Sequence, residues 1–355
     1  MLNRGRERSS IYSAVQFENY IDLEVSNFGI GHGMKNTVAG VLGFIFFWVL
    51  VVGNAEGKDK IEWVPLSIID VNSLPWDDRF RMGSKQTTKG KLLYANKSGA
   101  ILFYTHFSPG WDAVNKERHY HNFAEWGYVL DGDFLLYEFV SPRQKKGTLV
   151  EMRQGTWMYR PAFSIHGNRS DAMERQRVTP GSTQLLFAEG GKNYVLDPES
   201  PMYTDDWKAV KQFYQPHYQH TSTPEVMEWE EDTELPGVMV KWLYDGMAGG
   251  FRAKLRYAPP GWNYSGGPER SYYEKAQRFL YVLHGDMKIL NTTDPDDVGQ
   301  IAVVTQDFFI NQPPNSIWGW GKGALTDSGV MWLDVTYAEG TKSGGGLIED
   351  RNVLP

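Results

Sequence analysis

His119, His121, Glu125 and His166 are the residues whose types and spacing most directly imply chemistry. One residue separates His119 from His121. On a strand, where side chains alternate between faces, both imidazoles project the same way and reach one point. Glu125 follows after Asn122, Phe123 and Ala124, enough for a tight turn and a return onto a neighbouring strand. His166 comes from a distant segment and closes the ring. Three imidazoles and a carboxylate suit a first-row divalent metal. Fe, Mn and Zn lead the candidates, and Ni and Cu also accept this donor set. A structural zinc usually includes thiolates, and the chain has no cysteine. A lone His-x-His pair would read as an exposed polar strand face. In the company of Glu125 and His166 it reads as one bound divalent metal ion, with Glu125 either a ligand or a base beside the metal.

Strands must position these groups. Lys91–Tyr94, Ala100–Phe107, Glu125–Leu130, Asp133–Val140 and Thr183–Glu189 are apolar runs rich in β-branched and aromatic residues. Asp131-Gly132 between two of them is the signal of a two-residue hairpin. The composition turns polar over Tyr203–His220, which reads as a connector with one short helix near Asp205–Phe213. The chain then repeats itself. Phe107-Ser-Pro-Gly-Trp111 recurs as Ala258-Pro-Pro-Gly-Trp262, and Tyr128-Val-Leu-Asp-Gly-Asp133 as Tyr281-Val-Leu-His-Gly-Asp286. Trp157 through Gly167 recurs as Phe309 through Gly319. A nearly constant offset across three matches implies a duplicated unit.

Together these residues resemble the cupin family. Its first motif falls on Gly110, His119, His121, Glu125 and Gly132, and its second on Gly155, Pro161 and His166. The chain departs from the pattern in the longer gap between Gly110 and His119, in Ala162-Phe163 where the motif has glycine after Pro161, and in the early placement of Asn168. Within it the chain resembles two-cupin proteins related to the sensor domain of ChrR-type anti-sigma factors. The resemblance implies an all-β chain of two tandem cupin barrels, each a double-stranded β-helix or jelly roll. It implies His119, His121, Glu125 and His166 as metal ligands. Residues 57–200 are then the N-terminal cupin with the metal site, 201–224 a connector and 225–355 the C-terminal cupin.

The copies differ where chemistry would be. His166 corresponds to Trp318 and Glu125 to Arg278, while His119 and His121 fall opposite Arg270, Tyr272 or Glu274 according to the offset. Trp does not ligate metals and Arg stays protonated. The second copy is therefore expected to lack the metal. It either packs against and supports the first barrel or forms an organic pocket lined by Trp318, Trp320 and Tyr272. His106 reads as a core or rim residue. His217, His220 and His284 read as surface histidines. Asn168 either orients a ligand or caps a turn.

The chain has 355 residues and a formal net charge of -7, with 41% apolar and 14% aromatic residues. That is enough for two cores, and the charge opposes binding to nucleic acid or anionic membranes. The run Val38–Gly53 is strongly apolar but short for a membrane span, and Gly53-Asn-Ala55 places small residues where a signal peptidase cuts. Residues 34–55 read as a signal peptide, or as a membrane anchor if uncleaved, and residues 1–33 as an extension ahead of a true start at Met34. A buried helix is the third reading. The mature chain is then periplasmic or secreted, with the apolar segment its one link to a membrane. Walker A, dinucleotide-binding, nucleophile-elbow and His-Glu-x-x-His motifs are missing. Two functions remain: a metal-dependent oxygenase or isomerase of a small organic molecule, or a non-catalytic ligand-binding or sensory cupin. A homodimer is compatible with either.

Overall fold

The computed structural model describes residues 62–77, 88–109, 118–142, 144, 146–167, 181–196, 220–246, 250–263, 272–274, 276–293, 300–320, 323–337 and 352–353. The expectations placed on residues 1–55, Gly110, Asn168, His217, Arg270 and the helix near Asp205–Phe213 lie outside these residues. So do the side chains of His220 and Tyr272.

The described chain is almost entirely antiparallel β-structure, arranged as two tandem jelly-roll barrels. In the first, hydrogen-bonded order runs Asn193–Val195, His119–His121, Ile165–Gly167, Glu125–Phe139, Gly181–Ala188, Ile101–Phe107, Thr88–Ala95. Thr148–Met152 and Trp157–Arg160 also pair with Glu125–Phe139. The second barrel repeats this around Arg278–Asn291, flanked by Phe308–Gln312 and Val330–Tyr337, with Phe251–Ala258 and Met239–Tyr244 beyond.

The hairpin expected at Asp131-Gly132 is not formed. Glu125–Phe139 is one continuous strand. Its first part pairs with Gly181–Ala188, slips register between Val129 and Asp131, and its second part pairs with Thr148–Met152. Gly132 has φ 72°, and a β-carbon there would lie 1.9 Å from the Gly181 carbonyl oxygen. Gly285 repeats the arrangement against Gly329 at 1.8 Å. The Asp-Gly pair thus signals a left-handed residue, which a bend within a strand needs as much as a hairpin does.

Alternation divides each long strand between two environments. From Glu125–Phe139, Trp126 and Tyr128 face outward with Leu185, Phe187 and Leu102, while Val129 joins Phe107, Phe134, Leu136, Met152 and Met158 inside the first barrel. The outward face meets its counterpart from the second copy, and the two make one aromatic core. Tyr159 lies 4.6 Å from Tyr244, Tyr94 lies 4.8 Å from Phe279, and the Trp126 indole N–H donates to the Tyr337 hydroxyl.

Two strands cross between the copies. Ser67–Asp70 pairs with Phe308–Asn311 of the second barrel. Its repeat equivalent His220–Ser222 pairs with Trp157–Tyr159 of the first. Each crossing strand is followed by a 3-10 turn, Val71–Ser73 or Pro224–Val226. A buried lysine fixes each turn: Lys91 Nζ donates to the Val71 carbonyl at 2.8 Å, and Lys241 Nζ to the Pro224 carbonyl at 2.6 Å. A tryptophan covers each ammonium, Trp76 over Lys91 and Trp229 over Lys241. A cut of the chain ahead of His220 takes a strand from each sheet, and a cut after Ser222 still takes Ser67–Asp70 from the second.

The shared core and the exchanged strands make the barrels one cooperative unit. Far-ultraviolet circular dichroism and tryptophan fluorescence are expected to report a single coincident unfolding transition. Phe251, which contacts Trp157 and Tyr159 of the other copy, is the test position. Phe251→Ala should lower the stability of that one transition by about 3–5 kcal/mol without splitting it.

Candidate metal centre

His119 and His121 lie on the short strand His119–His121, with all three residues buried. His119 is the direct cross-strand partner of His166. The imidazole centroids are 4.3 Å apart for His119 and His166, 4.9 Å for His121 and His166, and 5.1 Å for His119 and His121. One nitrogen from each of the three histidines lies within 4.8 Å of the others. Among the described residues the second copy has no such group. The ring of His121 stacks on Phe123, which restricts its rotation.

His166 Nδ1 sits 3.1 Å from the Ser164 carbonyl oxygen. A carbonyl only accepts, so Nδ1 carries the proton and Nε2 is left to face the site. That Nε2 is 3.3 Å from Glu125 Oε1, and His121 Nδ1 is 3.6 Å from Glu125 Oε2. A nitrogen lone pair against a carboxylate oxygen is repulsive unless a proton or a cation lies between them. The donor set therefore fits a divalent cation: three imidazoles with a carboxylate at their edge, all buried. The Ser164 contact is the orienting hydrogen bond that ligating histidines commonly make through their other nitrogen.

Glu125 stands beside the three nitrogens rather than among them. Its cross-strand partner is Arg160, whose Nη1 donates to Oε1 at 2.9 Å. Arg160 also reaches Glu138 Oε1 at 3.3 Å, and Glu138 is the cross-strand partner of His166. Arg160 and Glu138 were not singled out in the sequence. Arg160 precedes the motif proline, Pro161, and that adjacency was the available signal. His106 is set apart from this group. Its Nδ1 meets Thr183 Oγ1 at 3.1 Å and its ring approaches Trp76, and burial pushes its pKa below the ordinary value.

The loop that carries His166 keeps the glycine geometry of the motif without the glycine. Phe163 occupies that position with φ 70°. Its amide donates to the His121 carbonyl at 2.6 Å, which ties the loop to the histidine strand. A bulky residue there is strained. The second copy places Asn315, which tolerates this region better, at φ 63°.

At the corresponding place in the second barrel, Arg278 takes the position of Glu125 and Trp318 that of His166. The Trp318 ring lies 4.5 Å from the Arg278 guanidinium. Arg278 Nε donates to Asp334 Oδ1 at 2.8 Å, and Arg256 bonds the other oxygen of that carboxylate. Burial alone would raise the Asp334 carboxyl, but Arg278 and Arg256 outweigh it and hold it far below the usual carboxylate range. Ion pairs thus fill the layer where the first barrel has its histidines.

No family model and no curated protein matches this sequence. Solved structures do resemble it. A crystal structure of a candidate dioxygenase from Nostoc punctiforme is 13% identical, covers 81% of this chain and 86% of its own, and superposes with a TM-score of 0.52. The protein Ylba from E. coli is 10% identical over 80% of this chain and 95% of its own, with a TM-score of 0.49. A point mutant of Bacillus subtilis oxalate decarboxylase is 13% identical over 77% of this chain and 78% of its own, with a TM-score of 0.47. At this identity the first likeness is one of fold.

The Arg160–Glu125 pair carries a prediction. Arg160→Met leaves Glu125 buried without its strongest cationic partner, so the metal-free protein should lose about 3–5 kcal/mol. A divalent cation replaces part of the lost charge. Adding metal should therefore raise the melting temperature of Arg160→Met by more than that of the parent, measured side by side in chelated and metal-saturated buffer.

Proposed function

We propose that this chain is an exported metal-binding cupin that acts on a small organic molecule in its first barrel. The observation that carries this reading is the convergence of His119, His121 and His166 with Glu125 at their edge. The three histidines would hold one divalent ion, with the Glu125 carboxylate as the anionic group beside it. Such an ion would supply Lewis acidity toward an oxygen-bearing substrate. The name of the Nostoc punctiforme neighbour supports oxygenation over isomerisation. Export rests on the apolar run Val38–Gly53 and the small residues after it.

The protein supplies position and charge. His166 keeps its ligating nitrogen directed at the site through the Ser164 carbonyl. Arg160 fixes the Glu125 carboxylate beside the histidines, placed to receive a proton from a substrate hydroxyl or enol. The buried surroundings exclude water and strengthen these interactions.

A second reading draws on the likeness to ChrR-type cupins: a sensory barrel that binds metal and ligand without turnover. The Arg160–Glu125 pair favours it, because a carboxylate oxygen already engaged by a guanidinium is less open to a substrate.

Metal analysis of the full chain after expression with export tests both. One metal per chain is expected, lost in His119→Ala/His121→Ala and weakened in His166→Ala. Trp318→Ala should keep the metal and destabilise the fold by about 3–5 kcal/mol. Oxygen consumption with phenols, enols and diketones then separates an oxygenase from a binder. A stoichiometric metal that survives loss of both His119 and His121 would remove the proposed site altogether.

A further inference from the structure

The second barrel holds a group of buried polar atoms that its ion pairs do not use. Gln312 is wholly buried, and neither its amide nitrogen nor its amide oxygen has a hydrogen-bond partner among the described residues. Ser316 is equally buried, and its hydroxyl is likewise without a partner among them. In the first barrel the equivalent residues are engaged. Arg160, in the place of Gln312, binds Glu125 and Glu138. Ser164, in the place of Ser316, closes its turn onto the Pro161 carbonyl at 2.7 Å. The second copy keeps the same turn, with the Ser316 amide on the Pro313 carbonyl at 3.2 Å, but its hydroxyl does not make that bond.

These atoms belong to one place. Gln312 is the cross-strand partner of Arg278, so their side chains share a face of the sheet. The Arg278 guanidinium lies against Trp318. Ser316 and Trp318 share a face of the strand Ser316–Trp318. This is the layer that carries the histidines in the first barrel. Both amide atoms of a fully buried glutamine left without partners cost free energy that packing alone does not return, which marks a place where a polar guest completes the structure.

Charge chooses the kind of guest. The layer already balances its ions: Arg278 and Arg256 share Asp334, Arg256 also pairs with Asp232 and Glu234, and Lys254 pairs with Glu234. A further net charge would be buried without a counterion. A glutamine amide offers a donor and an acceptor side by side, and its complement offers the same two in reverse. Trp318 and Trp320, 6.0 Å apart, supply apolar faces.

We propose that the second barrel, in the layer that corresponds to the histidines of the first, binds a small uncharged molecule through a carboxamide-like head, held by the Gln312 amide and the Ser316 hydroxyl beside Trp318. The site is independent of the metal reading of the first barrel.

Acetamide is the probe, with acetate at neutral pH as its charged counterpart and melting of the full chain as the readout. Acetamide at millimolar concentration should raise the melting temperature of the parent, and acetate should not. Gln312→Met removes both amide atoms at similar volume. It should melt at or above the parent without acetamide and bind acetamide at least about tenfold more weakly, the cost of one good hydrogen bond. Ser316→Ala, a smaller change, should weaken binding in the same direction. Metal content of the first barrel should be unchanged throughout. The proposal is overturned if acetamide leaves the parent unchanged, if acetate stabilises as strongly, or if both variants respond as the parent does; buried water then fills the polar site.

Discussion

The glycine bend in the longest strand is the constraint on which the rest depends. A β-carbon at Gly132 would meet the Gly181 carbonyl oxygen at 1.9 Å, and one at Gly285 would meet that of Gly329 at 1.8 Å. Neither approach is open to another residue. Because the strand bends there, its first part carries Glu125 along one side of the barrel, and its second part brings Glu138 opposite His166. The histidine strand then closes on His166 through the His119–His166 pair. The geometry of the three histidines follows from barrel closure, and barrel closure follows from two glycine backbones in contact.

The same alternation that sends Glu125 inward sends Trp126 and Tyr128 outward. A strand buried on both faces needs a partner for each, and the second copy covers the outer one. The exchanged strands Ser67–Asp70 and His220–Ser222 add main-chain pairing to that side-chain seam. In the second barrel, Arg278, Arg256 and Asp334 fill the corresponding layer. The two copies keep one backbone plan and differ in the side chains of that layer.

Much of this was legible in the sequence. The duplication showed in Trp157–Gly167 against Phe309–Gly319, and the histidines showed in their one-residue spacing. The Asp131-Gly132 pair was misread because a hairpin and an in-strand bend both need a left-handed residue, and only the pairing partner tells them apart. The strand exchange was not legible, since alternation predicts a strand but not the sheet it joins. Arg160 escaped notice because its importance lies in the register that sets it opposite Glu125. Phe163 replaced the motif glycine yet kept its conformation, φ 70°, through the hydrogen bond to His121.

X-ray absorption at the metal edge of the loaded full chain tests the central claim most directly. The account predicts a first shell of nitrogen and oxygen, with multiple scattering from three imidazoles and metal–nitrogen distances of about 2.0–2.2 Å, as His sites commonly show. A shell of oxygen alone, or one with a single imidazole, would contradict it.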